Sequence, residues 1–504
     1  MNRREFIGGT SGLGMALVMP PFEALHASAL PVDITDMSAS QLSVAIRERS
    51  VSCREVMQAY LARIDRYNPV YNAIVSRVEA DELMQQAGVA DQELAQGRYR
   101  GWLHGMPHAV KDLANVRGLP TSYGSPIFAG TIATDDDLAI SRIRQAGPIF
   151  IGKTNTPEFG YGSQSYNPVF GATGCAYDPA LTAGGSSGGA ACGLATRMLP
   201  VADGSDMMGS LRNPGAFNNV IGFRPTQGRV PDPSGEAYYQ QLATDGPLGR
   251  ISEDTFRLLC TMAGAHPQSP LSLRDALPPA ERFAALPFSG VKIGWLGNYS
   301  GYLAMEPGII DLCESALHQL ETSGSVVVPC TPDYELSRLW DTWLTLRHWS
   351  ANWARPLYDD PAKRKLLKPE VVFEIEGSFG LTAERVYAAG MARTLWFRAL
   401  ARLFEKYDFL ALPTAQVFPF SKDVHWPSRV NDRNMDTYHR WMEVVIGGTL
   451  AGLPIVNVPV GFDARGRPMG MQIMGPFGED RRVLEFALAY EQVTSFLARH
   501  PELP

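Results

Sequence analysis

The chain has 504 residues, enough for about three domains of ordinary size or for one unusually large domain. Apolar residues make up 45% of the chain and charged residues only 19%, which excludes a disordered polyelectrolyte and leaves ample material for a buried core. The net charge is −7 and no cluster of basic residues occurs. We therefore expect no nucleic acid partner, because binding to phosphates needs a concentrated positive surface.

Residues 1–29 have the three parts of an export signal. Arg3 and Arg4 precede a mildly apolar, glycine-bearing stretch at residues 6–19, and small residues follow up to Ala29. The apolar stretch is too short to span about 30 Å of hydrocarbon as a helix, and the two prolines after it disfavour the alternative of an ordinary first helix. The adjacent arginines resemble a bacterial twin-arginine signal. We predict cleavage after Ala29, a periplasmic or secreted protein, and no membrane contact once the signal is removed.

The segment after the signal predicts two helices between Ser38 and Tyr67, because its apolar residues recur at helical spacing. Ser52 and Glu55 form an S-x-x-E capping box between the two helices. We expect Asn68-Pro69 to end the second helix, since the residue before a proline is disfavoured in the helical conformation.

Short apolar runs recur along the rest of the chain, with helical patterns between many of them. Such runs suit buried strands, and their alternation with helices predicts an α/β protein around a largely covered sheet. The predicted strands are residues 107–110, 149–152, 220–223, 291–295, 326–328, 409–412 and 455–460. The predicted helices between them are residues 137–145, 253–263, 308–323 and 481–497.

Cysteines and glycines indicate what kind of site to expect. The six cysteines are far apart and form no C-x-x-C pair, so we expect free thiols and no bound metal. Of the 48 glycines, 21 lie between residues 101 and 230, which places backbone freedom, and hence a candidate site, in that quarter of the chain.

The densest glycine motif is A-G-G-S-S-G-G-A-A at residues 183–191. Its glycines would let main-chain N–H groups converge on an anion or let a serine occupy a tight turn. A flexible glycine-serine loop explains the motif equally well. A phosphate-binding loop is a weaker explanation, because the pattern G-x-x-x-x-G-K-[ST] is absent there.

Two further segments combine with this loop: L-H-G-M-P-H-A-V-K-D at residues 103–112 and D-G-S-D-M-M-G-S-L-R-N-P at residues 203–214. Together the three segments resemble the amidase signature family of serine hydrolases. The similarity extends over nearly all of the chain after residue 29, in N-P-V-Y-N-A (68–73), G-K-T-N-T-P-E-F (152–159), V-I-G-F-R-P-T-Q-G-R-V (220–230) and, near the C-terminus, A-G-L-P-I-V-N-V-P-V-G and P-M-G-M-Q-I-M-G. The resemblance implies a single α/β domain over residues 30–504, with a large mixed central β-sheet covered by helices on both faces.

The resemblance also implies a Ser-cisSer-Lys triad and no metal or organic cofactor. Carried over to this sequence, Ser210 is the nucleophile, Ser186 is the bridging serine after an unusual cis peptide bond, and Lys111 is the base. An ordinary lysine, with a pKa of about 10.4, is protonated at neutral pH and cannot act as a base. We therefore expect Lys111 to be desolvated, since burial disfavours the ammonium form.

The loop before the nucleophile is expected to form the oxyanion hole. By analogy with the family, the donors are the main-chain N–H groups of Met207, Met208, Gly209 and Ser210. The sequence departs from the family at Met208, where a glycine is usual, and we expect this side chain to block one approach or to require a different backbone angle. We interpret the two methionines as walls of the acyl pocket. The predicted supporting residues are Ser187, Asp206 and Arg212.

Histidines and tryptophans offer competing interpretations. His104 and His108 lie near Lys111 in sequence, but without a G-x-S-x-G elbow a catalytic histidine is disfavoured. Two tryptophan pairs have helical spacing, and core packing is the first interpretation for both. The second is that one pair walls the substrate pocket, which would favour a hydrophobic or aryl amide. The pairs are Trp340 with Trp343 and Trp349 with Trp353.

The sequence therefore predicts an amidase that hydrolyses a small-molecule carboxamide, and a homo-oligomer is compatible with it. One alternative is the A-type subunit of a tRNA-dependent amidotransferase, which shares these motifs. That subunit works in the cytosol with partner subunits, so the predicted export signal counts against it. The other alternative is a catalytically silent binding protein of the same fold, which the intact set of Lys111, Ser186 and Ser210 disfavours.

Overall fold

The structure is a computed structural model that describes residues 33–238 and 242–504. The predicted signal at residues 1–29 lies outside the described residues. The described chain contains fifteen α-helices and seventeen β-strands, together with short 3₁₀ helices. The helices are α1 Ala39–Arg47, α2 Cys53–Tyr71, α3 Ala80–Ala95, α4 Leu138–Gln145, α5 Gly188–Ala195, α6 Arg212–Phe217, α7 Ser252–Met262, α8 Ile309–Thr322, α9 Ser337–Ser350, α10 Arg355–Asp359, α11 Pro361–Arg364, α12 Pro369–Gly377, α13 Ala383–Phe404, α14 Ile446–Ala451 and α15 Asp480–Val493. The strands are β1 Ile74–Val75, β2 Pro107–Lys111, β3 Ile149–Thr154, β4 Tyr166–Asn167, β5 Gly171–Ala172, β6 Gly174–Cys175, β7 Asp178–Thr182, β8 Ala202–Asp206, β9 Ile221–Arg224, β10 Thr244–Gly249, β11 Lys292–Trp295, β12 Val326–Pro329, β13 Phe409–Pro413, β14 Arg429–Val430, β15 Arg433–Asn434, β16 Ile455–Phe462 and β17 Pro468–Met474.

Eight strands form a central mixed sheet in the order β12-β11-β13-β17-β16-β9-β10-β8. The first three strands run parallel to one another, and every later neighbour pair is antiparallel. β9, β13 and β17 are buried at every position, which requires cover on both faces of the sheet. Helices supply it: α6 packs on β9, β16 and β17, and α8 and α15 pack on β16. The expected large mixed sheet with helices on both faces is confirmed.

A separate three-stranded sheet, in the order β1-β3-β2, carries Lys111 at the end of β2. Asp203 on β8 joins this sheet to the central one. Its carboxylate accepts a hydrogen bond from the Lys111 N–H at 3.2 Å and lies 2.9 Å from Nε2 of His108. The ends of β2 and β8 are thereby fixed beside each other, although the two strands belong to different sheets.

All seven strands predicted from apolar runs are present, with ends that differ by at most two residues. The four helices predicted between them are also present, although α15 ends four residues early and a 3₁₀ turn at Phe496–Ala498 follows it. In the central sheet, the pattern of apolar runs missed three strands, β17, β8 and β10. The reason is visible for β8 and β10. Their sequences, A-D-G-S-D and T-D-G-P-L-G, carry acidic residues and glycines where buried strands usually carry branched apolar side chains.

The predicted end of the second helix at Asn68-Pro69 is wrong. α2 continues to Tyr71 with Pro69 in its last turn. A proline removes only one intrahelical N–H, and the local hydrogen bonds place the helix end later. The Asn68 side chain accepts from the N–H groups of Ala73 and Ile74, and Asn72 ends the helix in the left-handed conformation at φ 52°.

Within residues 33–238 and 242–504, the six cysteines form no disulfide. In the same part of the chain, no group of three histidine, cysteine, aspartate or glutamate side chains is arranged to hold a metal ion. None of the helices described there combines the length and the apolar character needed to cross a bilayer.

Candidate active site

Lys111 lies at the buried end of β2, where oxygen atoms surround its Nζ. The Oγ of Ser186 and the Oγ of Ser187 each lie 2.8 Å from Nζ. Ser205 adds its Oγ at 3.0 Å and its carbonyl oxygen at 3.3 Å. Lys111 is only 1% exposed. The lysine expected to be desolvated is therefore buried, and it contacts the serine expected to bridge it to the nucleophile.

Burial lowers the pKa of Lys111 to about 7, because the ammonium group loses its hydration. Three carboxylates, those of Asp245, Asp206 and Asp203, act in the opposite direction and keep the pKa from falling further. Around neutral pH the side chain is therefore divided between the ammonium and the amine. An amine in contact with a serine hydroxyl can take a proton from it.

Ser186 and Ser187 lie in the glycine-rich loop that leads into α5. The peptide bond between Gly185 and Ser186 is cis. The N–H of Ser187 donates to the carbonyl oxygen of Ser210 at 3.2 Å, and the Oγ of Ser187 accepts from the N–H of Ser205 at 3.4 Å. Ser187 thus contacts Lys111, β8 and the turn that carries Ser210, which fixes the three segments relative to one another.

Ser210 lies in the turn between β8 and α6 and is 6% exposed. Ser186 and Ser210 line the same narrow cavity, which we call the substrate cavity and which has a volume of about 150 Å³. The structure therefore brings the three predicted triad residues together, since Lys111 contacts Ser186 and the two serines share one cavity. A larger surface groove of about 810 Å³ is lined by none of the three.

A buried ion pair supports the turn of Ser210. Arg212 binds Asp206 through two hydrogen bonds, from Nε at 3.0 Å and from Nη2 at 2.8 Å, and both side chains are fully buried. Asp206 also accepts from the N–H groups of Gly209 and Leu211 at 2.9 and 3.1 Å. Burial alone would raise the pKa of Asp206, but Arg212, Arg224 and these N–H groups hold it well below its usual range.

Replacing Arg212 with methionine is expected to lower the free energy of unfolding by about 3–5 kcal/mol, because the Asp206 carboxylate keeps its burial but loses its bidentate partner. Chemical denaturation followed by circular dichroism measures the change. The matched control is Arg257→Met, which breaks a partly exposed pair with Glu253 and is expected to cost below about 1 kcal/mol. Equal losses in the two variants would contradict this account of the turn.

The main-chain N–H groups of the turn divide into two sets. The N–H of Gly209 is engaged by Asp206. Those of Met207, Met208 and Ser210 have no acceptor among the described residues, and all three residues line the substrate cavity. These three groups are therefore available to an anionic oxygen inside the cavity.

Gly209 and Met208 differ in what the backbone demands of them. Gly209 has φ +79°, and a Cβ there would lie 3.0 Å from the side chain of Val445, so glycine is required at this position. Met208 is not among the residues with positive φ. Its buried side chain lies against the substrate cavity instead. Met208 therefore narrows the cavity without any left-handed backbone.

The walls of the substrate cavity are largely aromatic and apolar. The side chains that form them are Leu113, Phe159, Tyr161, Met207, Met208, Trp353 and Met442. Of the four tryptophans singled out from the sequence, Trp353 alone is among the lining residues. Trp340 and Trp343 are buried in the hydrophobic core. Neither pair forms a wall as a unit, because Trp349 packs against the core while Trp353 reaches the cavity.

Arg347 on α9 was not identified from the sequence, yet it carries the one charged side chain among the described residues that line the substrate cavity. Its Nε binds Glu374, and its Nη2 donates to the hydroxyl of Tyr438 at 2.7 Å. Its Nη1 contacts only the sulfur of Met207, at 3.3 Å, a weak acceptor. No short motif marks Arg347 in the sequence, because its place depends on how α9 packs.

Ser205 is a neighbour of Lys111 that was not identified from the sequence. It lies within residues 203–214, and it contacts Lys111 because the end of β8 lies beside the end of β2.

The two histidines near Lys111 in the sequence have other partners. His108 is committed to Asp203, and His104 lies 3.0 Å from the carbonyl oxygen of Ala90. Neither histidine lines the substrate cavity.

Comparisons with known proteins identify the family of the chain. The sequence model of the amidase family matches residues 55–484. An acylamidase from Rhodococcus erythropolis is 30% identical over 474 residues, covering 92% of this chain and 97% of its own length. The A-type subunit of the glutamyl-tRNA(Gln) amidotransferase from a Cyanothece species is 32% identical over 491 residues, covering 92% of this chain and all of its own.

Solved structures also resemble this chain over most of its length. A bacterial aryl acylamidase of the amidase signature family superposes with a TM-score of 0.85 at 26% identity, covering 92% of this chain and 99% of its own. The peptide amidase of Stenotrophomonas maltophilia superposes with a TM-score of 0.76 at 25% identity, covering 93% and 99%. The family match spans most of the chain, and the superposed structures share its fold. The chain therefore belongs to the amidase signature family.

Proposed function

We propose that the protein hydrolyses a carboxamide bond through an acyl-enzyme on Ser210. The Oγ of Ser210 attacks the carbonyl carbon, its proton passes to the Oγ of Ser186, and the proton of Ser186 passes to Nζ of Lys111. The relay returns one proton to the leaving nitrogen as the carbon–nitrogen bond breaks. Water then attacks the ester by the same route, which releases the carboxylic acid and restores Ser210. No step in this sequence uses a cofactor.

The carbonyl oxygen becomes negatively charged when Ser210 attacks, and it needs donors that are already in place. We assign this role to the N–H groups of Met207, Met208 and Ser210. One such donor typically contributes about 10²- to 10³-fold to the rate. The hydrogen bonds of Asp206 to Gly209 and Leu211 support the assignment, because they hold the turn in one conformation before substrate binds.

The observation that carries the proposal is the 2.8 Å contact between Nζ of Lys111 and the Oγ of Ser186. Burial lowers the pKa of Lys111 to about 7, and groups with such shifts cluster at functional sites. Here Lys111 contacts a serine that shares the substrate cavity with a second serine. Membership of the amidase family, with acylamidases among the relatives, supports amide hydrolysis as the reaction.

For the substrate we propose an amide with an aryl or other bulky apolar group. The aromatic and methionine walls of the substrate cavity support this class, because such a group would bury its surface against them. The similarity to an aryl acylamidase and to an acylamidase also supports it. A panel of anilides, aliphatic amides, peptide amides and carbamates tests the class directly.

Trp353→Ala is expected to raise the KM for an anilide by about 5- to 10-fold with little change in kcat. The reason is that the aryl ring of the bound anilide loses its contact with the Trp353 ring. The KM for acetamide is expected to stay within about twofold, since a methyl group does not reach that wall. Tyr387→Ala is the matched control, as Tyr387 is 71% exposed on α13 and does not line the cavity. Equal effects on the two substrates would reject the aryl class.

The A-type amidotransferase subunit is a second candidate, supported by the 32% identity to a protein of that name. We also propose that residues 1–29 direct export to the periplasm or beyond, which would separate the protein from cytosolic partner subunits. Cell fractionation distinguishes the two. A processed protein outside the cytosol that hydrolyses added amides alone supports the free amidase. A cytosolic protein that needs a partner subunit for glutamine hydrolysis supports the amidotransferase.

A further inference from the structure

A second cavity, of about 370 Å³, also reaches Lys111. Neither Ser186 nor Ser210 lines it, but it adjoins the substrate cavity, with which it shares Leu113, Ser205 and Ala243. Four carboxylates line it together with Lys111, and we call it the acidic cavity. They belong to Asp137, Asp203, Asp232 and Asp245. Lys111 thus lines the acidic cavity, whereas Ser186, which its Nζ contacts, lines the substrate cavity.

Asp245 is placed next to Lys111 by the register of the central sheet. In the antiparallel pair of β8 and β10, Asp245 lies directly opposite Ser205. Directly opposed residues project from the same face, with Cβ atoms about 4.5–5.5 Å apart. The Oγ of Ser205 is 3.0 Å from Nζ of Lys111, and Asp245 and Lys111 line the same cavity, so the register places Asp245 near the base. It is also the carboxylate that acts most strongly on Lys111.

The other charged groups around Lys111 are committed elsewhere. The Asp203 carboxylate binds His108 and the Lys111 N–H, and the Asp206 carboxylate binds Arg212 and Arg224. The Asp137 carboxylate accepts from Asn115, and the Asp232 carboxylate accepts from Ser234. The nearby cation Lys153 lies 3.9 Å from Asp112. The Asp245 carboxylate, by contrast, accepts no hydrogen bond from any described residue. No hydrogen-bond donor among the described residues therefore competes with Lys111 for the negative charge of Asp245.

We propose that the Asp245 carboxylate stabilises the ammonium that Lys111 becomes when it takes the proton of the nucleophile, which makes Asp245 a positioning residue of the relay. The inference rests on the proposed role of Lys111 as the base. One proton moves from Ser210 through Ser186 to Nζ, and Asp245 forms and breaks no covalent bond. Its negative charge favours the buried ammonium from across the acidic cavity, as the acidic member of a serine triad favours an imidazolium.

Burial raises the pKa of Asp245 to about 7, the same region as that of Lys111. The two groups therefore titrate as a coupled pair. Above about pH 7 the carboxylate is ionised and Lys111 is neutral, which is the state that can accept a proton and stabilise it.

The test compares Asp245→Asn with Asp245→Glu and with the control Asp333→Asn. It has two readouts against pH: the steady-state kinetics of amide hydrolysis (kcat and kcat/KM) and the rate at which a fluorophosphonate labels Ser210. In Asp245→Asn we expect the acid midpoint to fall by about one unit, because the carboxylate no longer favours the ammonium. The plateau of kcat is expected to fall about tenfold, because the ammonium formed in the transition state loses its partner. A structural defect alone would lower the plateau without moving the midpoint.

Asp245→Glu keeps the charge and is expected to restore the wild-type midpoint. Asp333→Asn removes an exposed carboxylate that lines neither cavity and is expected to leave both readouts unchanged. If Asp245→Asn does not fold, Asp245→Ser provides the same readouts. A midpoint that matches wild type in Asp245→Asn or Asp245→Ser overturns the inference. If wild-type Ser210 is neither labelled nor active, the proposed function itself fails, which is a different result.

Discussion

Ser210→Ala is expected to lower kcat by roughly 10⁶-fold, the size of effect seen when the nucleophile of a serine hydrolase is removed. The physical reason is that no other hydroxyl can form the acyl-enzyme in the same place. The change deletes one atom, and the Ser210 carbonyl that accepts from Ser187 remains, so we expect the melting temperature to stay close to that of wild type. Turnover of an amide, together with mass spectrometry of the fluorophosphonate-labelled protein, measures the loss.

The matched control for this variant is Ser163→Ala. Ser163 also lines the substrate cavity, is 2% exposed, and its Oγ has no hydrogen-bond partner among the described residues. We expect kcat to change by less than about tenfold there. Near-normal kcat in Ser210→Ala would reject Ser210 as the nucleophile. A wild-type protein that binds amides but is neither labelled nor able to turn them over would instead be the silent binding protein.

Lys111→Met is expected to reduce kcat by about 10²- to 10⁴-fold, the usual contribution of a general base. In the wild type, only the neutral amine can take the proton of Ser186. Because the pKa of Lys111 is about 7, kcat/KM should rise as the pH rises through that value and level off above it. The variant should lose this limb, since no group of similar pKa remains in contact with Ser186. A pH–rate profile from about pH 5 to 9 measures both effects.

Lys153→Met provides the control for a buried lysine that lies outside the site. Lys153 is fully buried on the neighbouring strand β3, and burial lowers its pKa as well, but its Nζ donates to Ala114 and Thr121. We expect the variant, compared at equal amounts of folded protein, to keep the wild-type pH profile. An unaltered acid limb in Lys111→Met would show that another group is the base.

The segments of the candidate site were recognisable through their resemblance to the amidase signature family, because each segment is local in the chain. Gly185, Ser186 and Ser187 sit in one glycine-rich motif, and Lys111 ends an apolar run that had to be a buried strand. The α/β class followed from the same runs. Such features can be read from the sequence because turn geometry and strand burial depend mainly on residues that are adjacent in the chain.

What the sequence did not predict depends on packing between distant elements. The contact of Ser205 with Lys111 requires β8 to end beside β2, and β8 has no apolar pattern that would identify it. Arg347 reaches the substrate cavity because of how α9 lies on the core. The error at Pro69 has a different cause. The residue before a proline disfavours helical backbone, but the hydrogen bonds of the Asn68 side chain and the left-handed Asn72 set the end of the helix later.

The hydroxyl groups around Lys111 have a consequence for the direction of their hydrogen bonds. A protonated Nζ has three hydrogens to donate, whereas the amine has two hydrogens and one lone pair. When Lys111 is neutral, one neighbouring hydroxyl must therefore turn and donate to it. Ser187 can direct its hydrogen to the carbonyl oxygen of Ser205 at 3.4 Å, which leaves Ser186 to face the lone pair. Each turnover thus reverses the polarity of one hydrogen bond while the heavy atoms stay in place.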